Sequence, residues 1–131
     1  MRIKNIILLL IFIFVINGCA TSPKQKPKEP SMEEKFVALT VKNLENLSIG
    51  MSKSEALEVM RAGLSDFPEW LYTFNPFRSE TLKIKGKTLE VLYYYVDMKG
   101  REGVASNDEL IPIVFEKGKL SCWGWECFKN Q

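Results

Sequence analysis

The sequence predicts an α+β fold in which two N-terminal helices, an αα-hairpin, pack on one face of a small antiparallel β-meander. Two Ser-x-x-Glu pairs, Ser31/Glu34 and Ser52/Glu55, have capping-box spacing, and each is followed by apolar residues three and four apart. In the second half of the chain the pattern changes to alternation, in runs at 81–85, 88–96, 111–116 and 119–123. Gly86 and Lys117-Gly118 divide these runs into two hairpins. A helix pair cannot bury its apolar faces alone, so the sheet is the second layer.

Taken in order, the chain opens with Arg2 and Lys4, an eleven-residue apolar run from Ile6 to Ile16, then Asn17-Gly18-Cys19. A positive start, a short apolar stretch and small residues before a cut make a secretory signal. An apolar run of about 10–14 residues is too short to span a bilayer. The segment Ile16-Asn17-Gly18-Cys19 resembles the lipobox of bacterial lipoproteins, with Asn17 where a smaller residue is usual. That resemblance implies removal of residues 1–18 and acylation of Cys19, each buried methylene contributing about 0.8 kcal/mol to membrane attachment. Ala20 after the cysteine implies, by the same resemblance, sorting to the outer membrane with the rest of the chain facing the periplasm.

By that resemblance, residues 19–31 are expected to be the lipidated cysteine and a flexible linker. Positions 20–30 hold three prolines and three lysines and nothing larger than alanine to bury, a stem of roughly 30 Å at about 3 Å per residue. Residues 32–131 form a single domain. Its first helix is expected over about 32–46, with Phe36, Val37, Thr40, Val41, Leu44 and Leu47 as its stripe. The second is expected over about 53–62, burying Ala56, Leu57, Met60 and Leu64, with Met51 stapled on Ala56 and Gly63 ending it.

Residues 65–79, broken by Pro68 and Pro76, read as an irregular aromatic stretch. In the run from Thr88, residues Leu89, Val91, Tyr93 and Tyr95 share one face and Thr88, Glu90, Leu92 and Tyr94 the other, so one face is the better core face. Pro112 cannot donate to a ladder and belongs at a sheet edge or at the start of its strand.

Charge bounds the partners. The whole chain has 18 Lys and Arg against 16 Asp and Glu; without Arg2 and Lys4 the 113 residues from Cys19 onward balance at 16 each. A neutral chain offers no basic excess for nucleic acid or an anionic membrane surface.

Cys122 and Cys127 remain as an even pair outside a reducing compartment, and a disulfide is the expected state. Fully extended, five steps span about 16 Å, whereas bridged Cα atoms lie within about 7 Å. The chain must turn between them, at Gly124.

The segment Leu47-Ser48-Ile49-Gly50-Met51-Ser52-Lys53-Ser54-Glu55-Ala56-Leu57, after a lipobox and linker and before strands, resembles the SmpA/OmlA (BamE-like) small outer-membrane lipoproteins. The closing run Ile111 to Leu120 with Trp123-Gly124-Trp125 resembles their final hairpin. With Asn75-Pro76-Phe77-Arg78 and Glu90 to Tyr95, the likeness is nearer to the uncharacterised members of that group. It implies a helix-helix-sheet domain and a place in outer-membrane protein assembly or envelope maintenance. Arg61-Ala62-Gly63-Leu64 departs from the group's usual Leu-Gly-x-Pro helix ending, and the Cys122/Cys127 pair is not general in it.

The chain has no histidine, which removes the commonest general base and metal ligand, and its serines have no base to activate them. The carboxylate pairs Glu33/Glu34 and Asp108/Glu109 read as solvated charge. Lys99 and Arg101 stand where a calcium loop needs oxygen ligands. No enzyme activity, cofactor or metal is expected.

What remains is an aromatic excess at 67–77 and at Trp123 and Trp125. Most of these rings are expected to fill the core, but Trp70/Tyr72 and Trp123/Trp125, each spaced by two, would project on one side of an extended chain and anchor a partner. The sequence thus points to a lipid-anchored protein-binding or scaffold module contacting another envelope protein. A periplasmic enzyme inhibitor is the rival reading.

Overall fold

Every residue from Val91 to Tyr95 is buried, whichever face it points to. A strand buried on both sides must lie inside a sheet that is covered twice. In the computed structural model, which describes residues 26–73, 75–98 and 105–131, that strand is β2 (Lys87–Tyr95). It sits between β1 (Arg78–Ile84) and β3 (Leu110–Glu116), and β4 (Lys119–Trp123) closes a four-stranded antiparallel sheet in the order β1-β2-β3-β4. The helices are α1 (Met32–Leu44), α2 (Lys53–Arg61), the single turn α3 (Glu69–Tyr72) and a C-terminal α4 (Trp125–Lys129). The fold is a mixed helix-and-sheet one, as the change of periodicity along the sequence predicts. The expected signal at 1–18, Cys19, the linker before residue 26 and all but Asp97 and Met98 of the rejected calcium loop at 97–103 lie outside the described residues.

Both capping boxes form. Ser31 and Ser52 each accept from the backbone of the glutamate three residues on, and each glutamate accepts from the serine N–H in return. The Ser52 donors hold the Glu55 carboxyl below the usual carboxylate range. Where α2 ends, Gly63 adopts φ 76°, and a Cβ there would stand 3.2 Å from the Leu39 side chain, so neither backbone nor space favours another residue. Asn43 of α1 donates from Nδ2 to the carbonyls of Met60 at 3.3 Å and Ala62 at 2.9 Å, satisfying acceptors that the helix end leaves open.

Two layers of core follow from the register. Leu92 and Tyr94 lie beside Ile113 and Phe115, and with Leu120 they pack on Leu44, Leu47, Ala56 and Met60 from the helical side. On the opposite face Leu89, Val91, Tyr93, Tyr95, Leu110 and Val114 form a second core, closed in part by Trp125 and Phe128 of α4. The expectation of one better core face is therefore corrected. Both faces of β2 are apolar, both are covered, and α4 is too short for a helical period to show in the sequence.

Other differences are local. β1 starts three residues earlier than its apolar run because Arg78, Ser79 and Glu80 pair with Tyr93, Leu92 and Val91 irrespective of polarity. Leu71 of α3 is fully buried beside Phe36 and Leu64, so part of the expected irregular stretch is a helical turn inside the core. The expected edge or strand-start placement of Pro112 is corrected: it is the third residue of central β3, opposite Tyr93 of β2, just beyond the β4 ladder, which ends at Ile113–Trp123.

The outer side of β4 is occupied by the segment between α1 and α2. Gly50 N donates to Leu120 O at 2.8 Å, Leu120 N to Met51 O at 2.7 Å and Lys53 N to Gly118 O at 2.9 Å. The Gly-Met-Ser segment thus starts a helix and also seals a sheet edge, which protects against unwanted strand pairing. At both hairpin turns a lysine precedes the glycine in the left-handed region, Lys85 at φ 50° and Lys117 at φ 51°. That conformation costs a non-glycine residue roughly 1–2 kcal/mol.

Candidate partner-binding surface

Phe67, Glu69, Tyr72, Thr73 and Asn75 of the aromatic segment 67–77 line a groove. After Gly63 a 3-10 turn at Leu64–Asp66 reverses the chain, and Pro68 starts α3. The groove has a volume of about 640 Å³ and is lined by Arg61, Leu64, Phe67, Glu69, Tyr72 and Asn75, among others. Phe67 stands edge-on to Phe36 with ring centroids 5.5 Å apart, which fixes one wall against α1. Arg61 and Glu69 put opposite charges on a lining in which Leu64, Phe67 and Tyr72 alternate with the polar side chains of Ser65, Thr73 and Asn75.

Trp70 and Tyr72 do not share a side as an extended chain would place them. In a helical turn residues two apart point about 200° away from each other. Tyr72 therefore lines the groove, while Trp70 is half exposed on the outside of α3, turned away from buried Leu71.

Trp123 and Trp125 are also separated. Gly124 takes φ 91° and ψ 155°, a conformation that reverses the chain into α4. Trp123 packs on the helical side of the sheet and Trp125 on the other. The Trp125 indole donates to Leu110 O at 2.7 Å and its ring lies 5.8 Å from Tyr93 and 5.7 Å from Phe128. The expectation of one shared contact surface is corrected: the two rings, both half-buried, belong to opposite layers of the core.

Cys122 and Cys127 stand at disulfide-bonding distance, their Cα atoms 6.3 Å apart. The Gln131 side chain donates to Cys127 O at 3.1 Å and lies over both sulfurs. The turn at Gly124 that the spacing demands is the same turn that starts α4.

Three tyrosines have shifted hydroxyls. Burial pushes Tyr94 up to about 12, against a smaller opposing effect of the Arg61 charge. Burial, and then the hydrogen bond to Glu80, push Tyr93 up to about 12. Burial, with the Glu109 charge second, raises Tyr95. The Tyr93 hydroxyl donates to the Glu80 carboxylate, and the Arg78 guanidinium lies 4.2 Å from the Tyr93 ring centre. The Tyr93, Glu80 and Arg78 groups tie β1 to β2.

Glu109 is buried, unlike the solvated charge expected of it, because its carboxylate accepts from Ser106 N at 2.9 Å and Ser106 Oγ at 2.7 Å in a third capping box. Among the described residues no group of three or more His, Cys, Asp or Glu side chains could hold a metal ion, and no helix is long and apolar enough to cross a membrane.

Sequence reasoning missed Arg61, Glu69 and Asn75 as groove residues. Asn75 is buried, with Nδ2 donating to Thr40 Oγ1 at 3.1 Å and Oδ1 accepting from Tyr95 N at 2.8 Å. An Asn-Pro pair in an aromatic segment was the available signal for a constrained polar residue there.

Among known proteins, no curated protein and no solved structure matches the chain. One family model matches residues 17–130, with the description "Protein of unknown function (DUF3192)". The match takes in all three cysteine positions, the groove and the whole sheet, and the chain belongs to the DUF3192 family.

Proposed function

We propose that this protein is a lipid-anchored lipoprotein of the outer membrane whose domain, facing the periplasm, binds another envelope protein as a scaffold in envelope maintenance or outer-membrane protein assembly. Cys19 carries the acyl chains, residues 1–18 are removed, and residues 19–31 tether the domain. α1 and α2 act as an αα-hairpin laid on one face of the sheet, the arrangement that the SmpA/OmlA resemblance implies. The partner docks at the aromatic groove. The domain is a binding module, not an enzyme.

The groove beside half-exposed Trp70 carries this reading, since aromatic rings set among mixed polar and charged side chains suit a protein surface. The Cys122/Cys127 pair suits an oxidising compartment.

Metabolic labelling tests the anchor: palmitate is incorporated into the wild-type chain and not into Cys19→Ala, and globomycin leaves the precursor unprocessed. Failure of both would reject the lipoprotein reading. A photoreactive residue at exposed Thr73, which lines the groove, captures an envelope protein that the same residue at exposed Val41 does not. Equal capture at the two positions would reject the groove as the docking site.

A further inference from the structure

The chain's neutral balance hides a separation of charge. Antiparallel order brings both two-residue turns, Lys85-Gly86 and Lys117-Gly118, to one end of the sheet. Lys83, Lys87 and Lys119 stand on the adjoining strand positions, and Lys53 joins them because its N–H bonds Gly118 O. Of these six lysines, Lys53 is paired with Glu90, Lys87 with Glu116 at 3.3 Å, and Lys119 lies close enough to Glu55 to help lower its carboxyl. Lys83, Lys85 and Lys117 are exposed and have no ion pair among the described residues. Two of the three occupy left-handed positions where asparagine would be less strained, so each turn keeps a cation against its backbone preference.

We propose that this lysine end of the sheet is a docking surface for an acidic face of a partner protein. The choice of a protein over the membrane rests on the reading of Cys19 as the anchor, together with the direction of α1. Phe36 packs beside Leu64 and Leu71, and Thr40 is linked through Asn75 to Tyr95 at the end of β2. The linker therefore leaves from the end of the sheet opposite the lysine turns. A nine-residue strand is about 30 Å long, and the stem from Cys19 to Ser31 reaches about 37 Å only when fully extended. Laying the lysines on the anchoring membrane would consume nearly all of that reach, whereas a relaxed stem leaves them facing away from it. No large exposed apolar residue stands on either turn to insert into lipid; those described are Met32, Val41, Ile49 and Trp70. Exposed ammonium groups on long stems, without an apolar wedge, suit ion pairing with carboxylates.

Zero-length carbodiimide coupling in intact cells making the full lipoprotein tests this, because the reagent joins amines only to carboxylates in contact with them. The expected result is coupling of Lys83, Lys85 or Lys117 to Asp or Glu of one acidic protein, alongside internal Lys53–Glu90 and Lys87–Glu116 couplings that report that the reaction worked. A Lys83→Gln/Lys85→Asn/Lys117→Asn variant, in which asparagine suits the left-handed turns, loses the intermolecular product, keeps the internal ones and melts no lower than wild type. Internal couplings without an intermolecular product overturn the proposal, as does a triple variant that couples as well as wild type. Protection of the three lysines from acetylation on the purified lipoprotein in phosphatidylglycerol vesicles, and not in phosphatidylcholine vesicles, also overturns it by assigning them to lipid. Absence of palmitate from the chain would reject the anchor separately, whatever the couplings show.

Discussion

Asn75 and Thr40 are bonded side chain to side chain at 3.1 Å inside the core, although they lie 35 positions apart. Since Asn75 Oδ1 also accepts from Tyr95 N, one amide joins α1 to the end of β2 beneath the groove. Truncating it leaves a buried hydroxyl and a buried N–H unpartnered, each costing about 1–3 kcal/mol. Asn75→Ala is therefore expected to lose about 2–4 kcal/mol in urea unfolding, and Thr40→Val about 1 kcal/mol. Strict additivity in the double mutant would contradict the shared bond.

Neighbours on α3 separate stability from binding. Leu71 is fully buried, so Leu71→Ala is expected to cost about 2–5 kcal/mol. Trp70 is half exposed, and Trp70→Ala is expected to change stability by less than about 1 kcal/mol while weakening partner capture. Thermal melts together with cross-linking yields read the two effects apart.

Closing the six-residue loop from Cys122 to Cys127 is worth about 2 kcal/mol in chain entropy. Cys122→Ser/Cys127→Ser is expected to lose that amount and to expose α4 amides first in hydrogen exchange, since Trp125 and Phe128 close only part of one sheet face. Free alkylation of both thiols in the native protein without reductant would show that no bridge forms.

Alkaline pH is expected to unfold the domain. Tyr93 and Tyr94 are raised to about 12 against 10 in an unfolded chain, so between these values the folded state holds protons that the unfolded state releases. Their contribution is complete below pH 10 and is lost as pH rises towards 12. Tyr94→Phe, which keeps the buried ring, is expected to shift the decline to higher pH, and tyrosinate absorbance should rise together with loss of structure. A decline unchanged in that variant would assign it to other groups.

The local elements were legible because their causes are local. Ser31/Glu34 and Ser52/Glu55 satisfy their own helix ends, and the six-residue Cys122–Cys127 segment must turn at Gly124 wherever the sheet lies. The aromatic spacing misled because i, i+2 residues share a side only on an extended chain. α3 turns Trp70 away from Tyr72, and Gly124 sends Trp123 and Trp125 to opposite sheet faces. The groove was hidden because Arg61 and Asn75 meet only when α2 and the start of β1 are brought to one end of the sheet.

By itself the sequence determined the helix starts, the hairpins, the paired cysteines and the net charge, all properties of neighbours along the chain. Only the tertiary structure decided that both faces of β2 are buried, that Gly50–Lys53 seals β4, and that lysines from two distant turns stand together. Periodicity and capping are short-range, whereas burial and electrostatic potential sum over atoms near in space, and strand order sets which atoms those are.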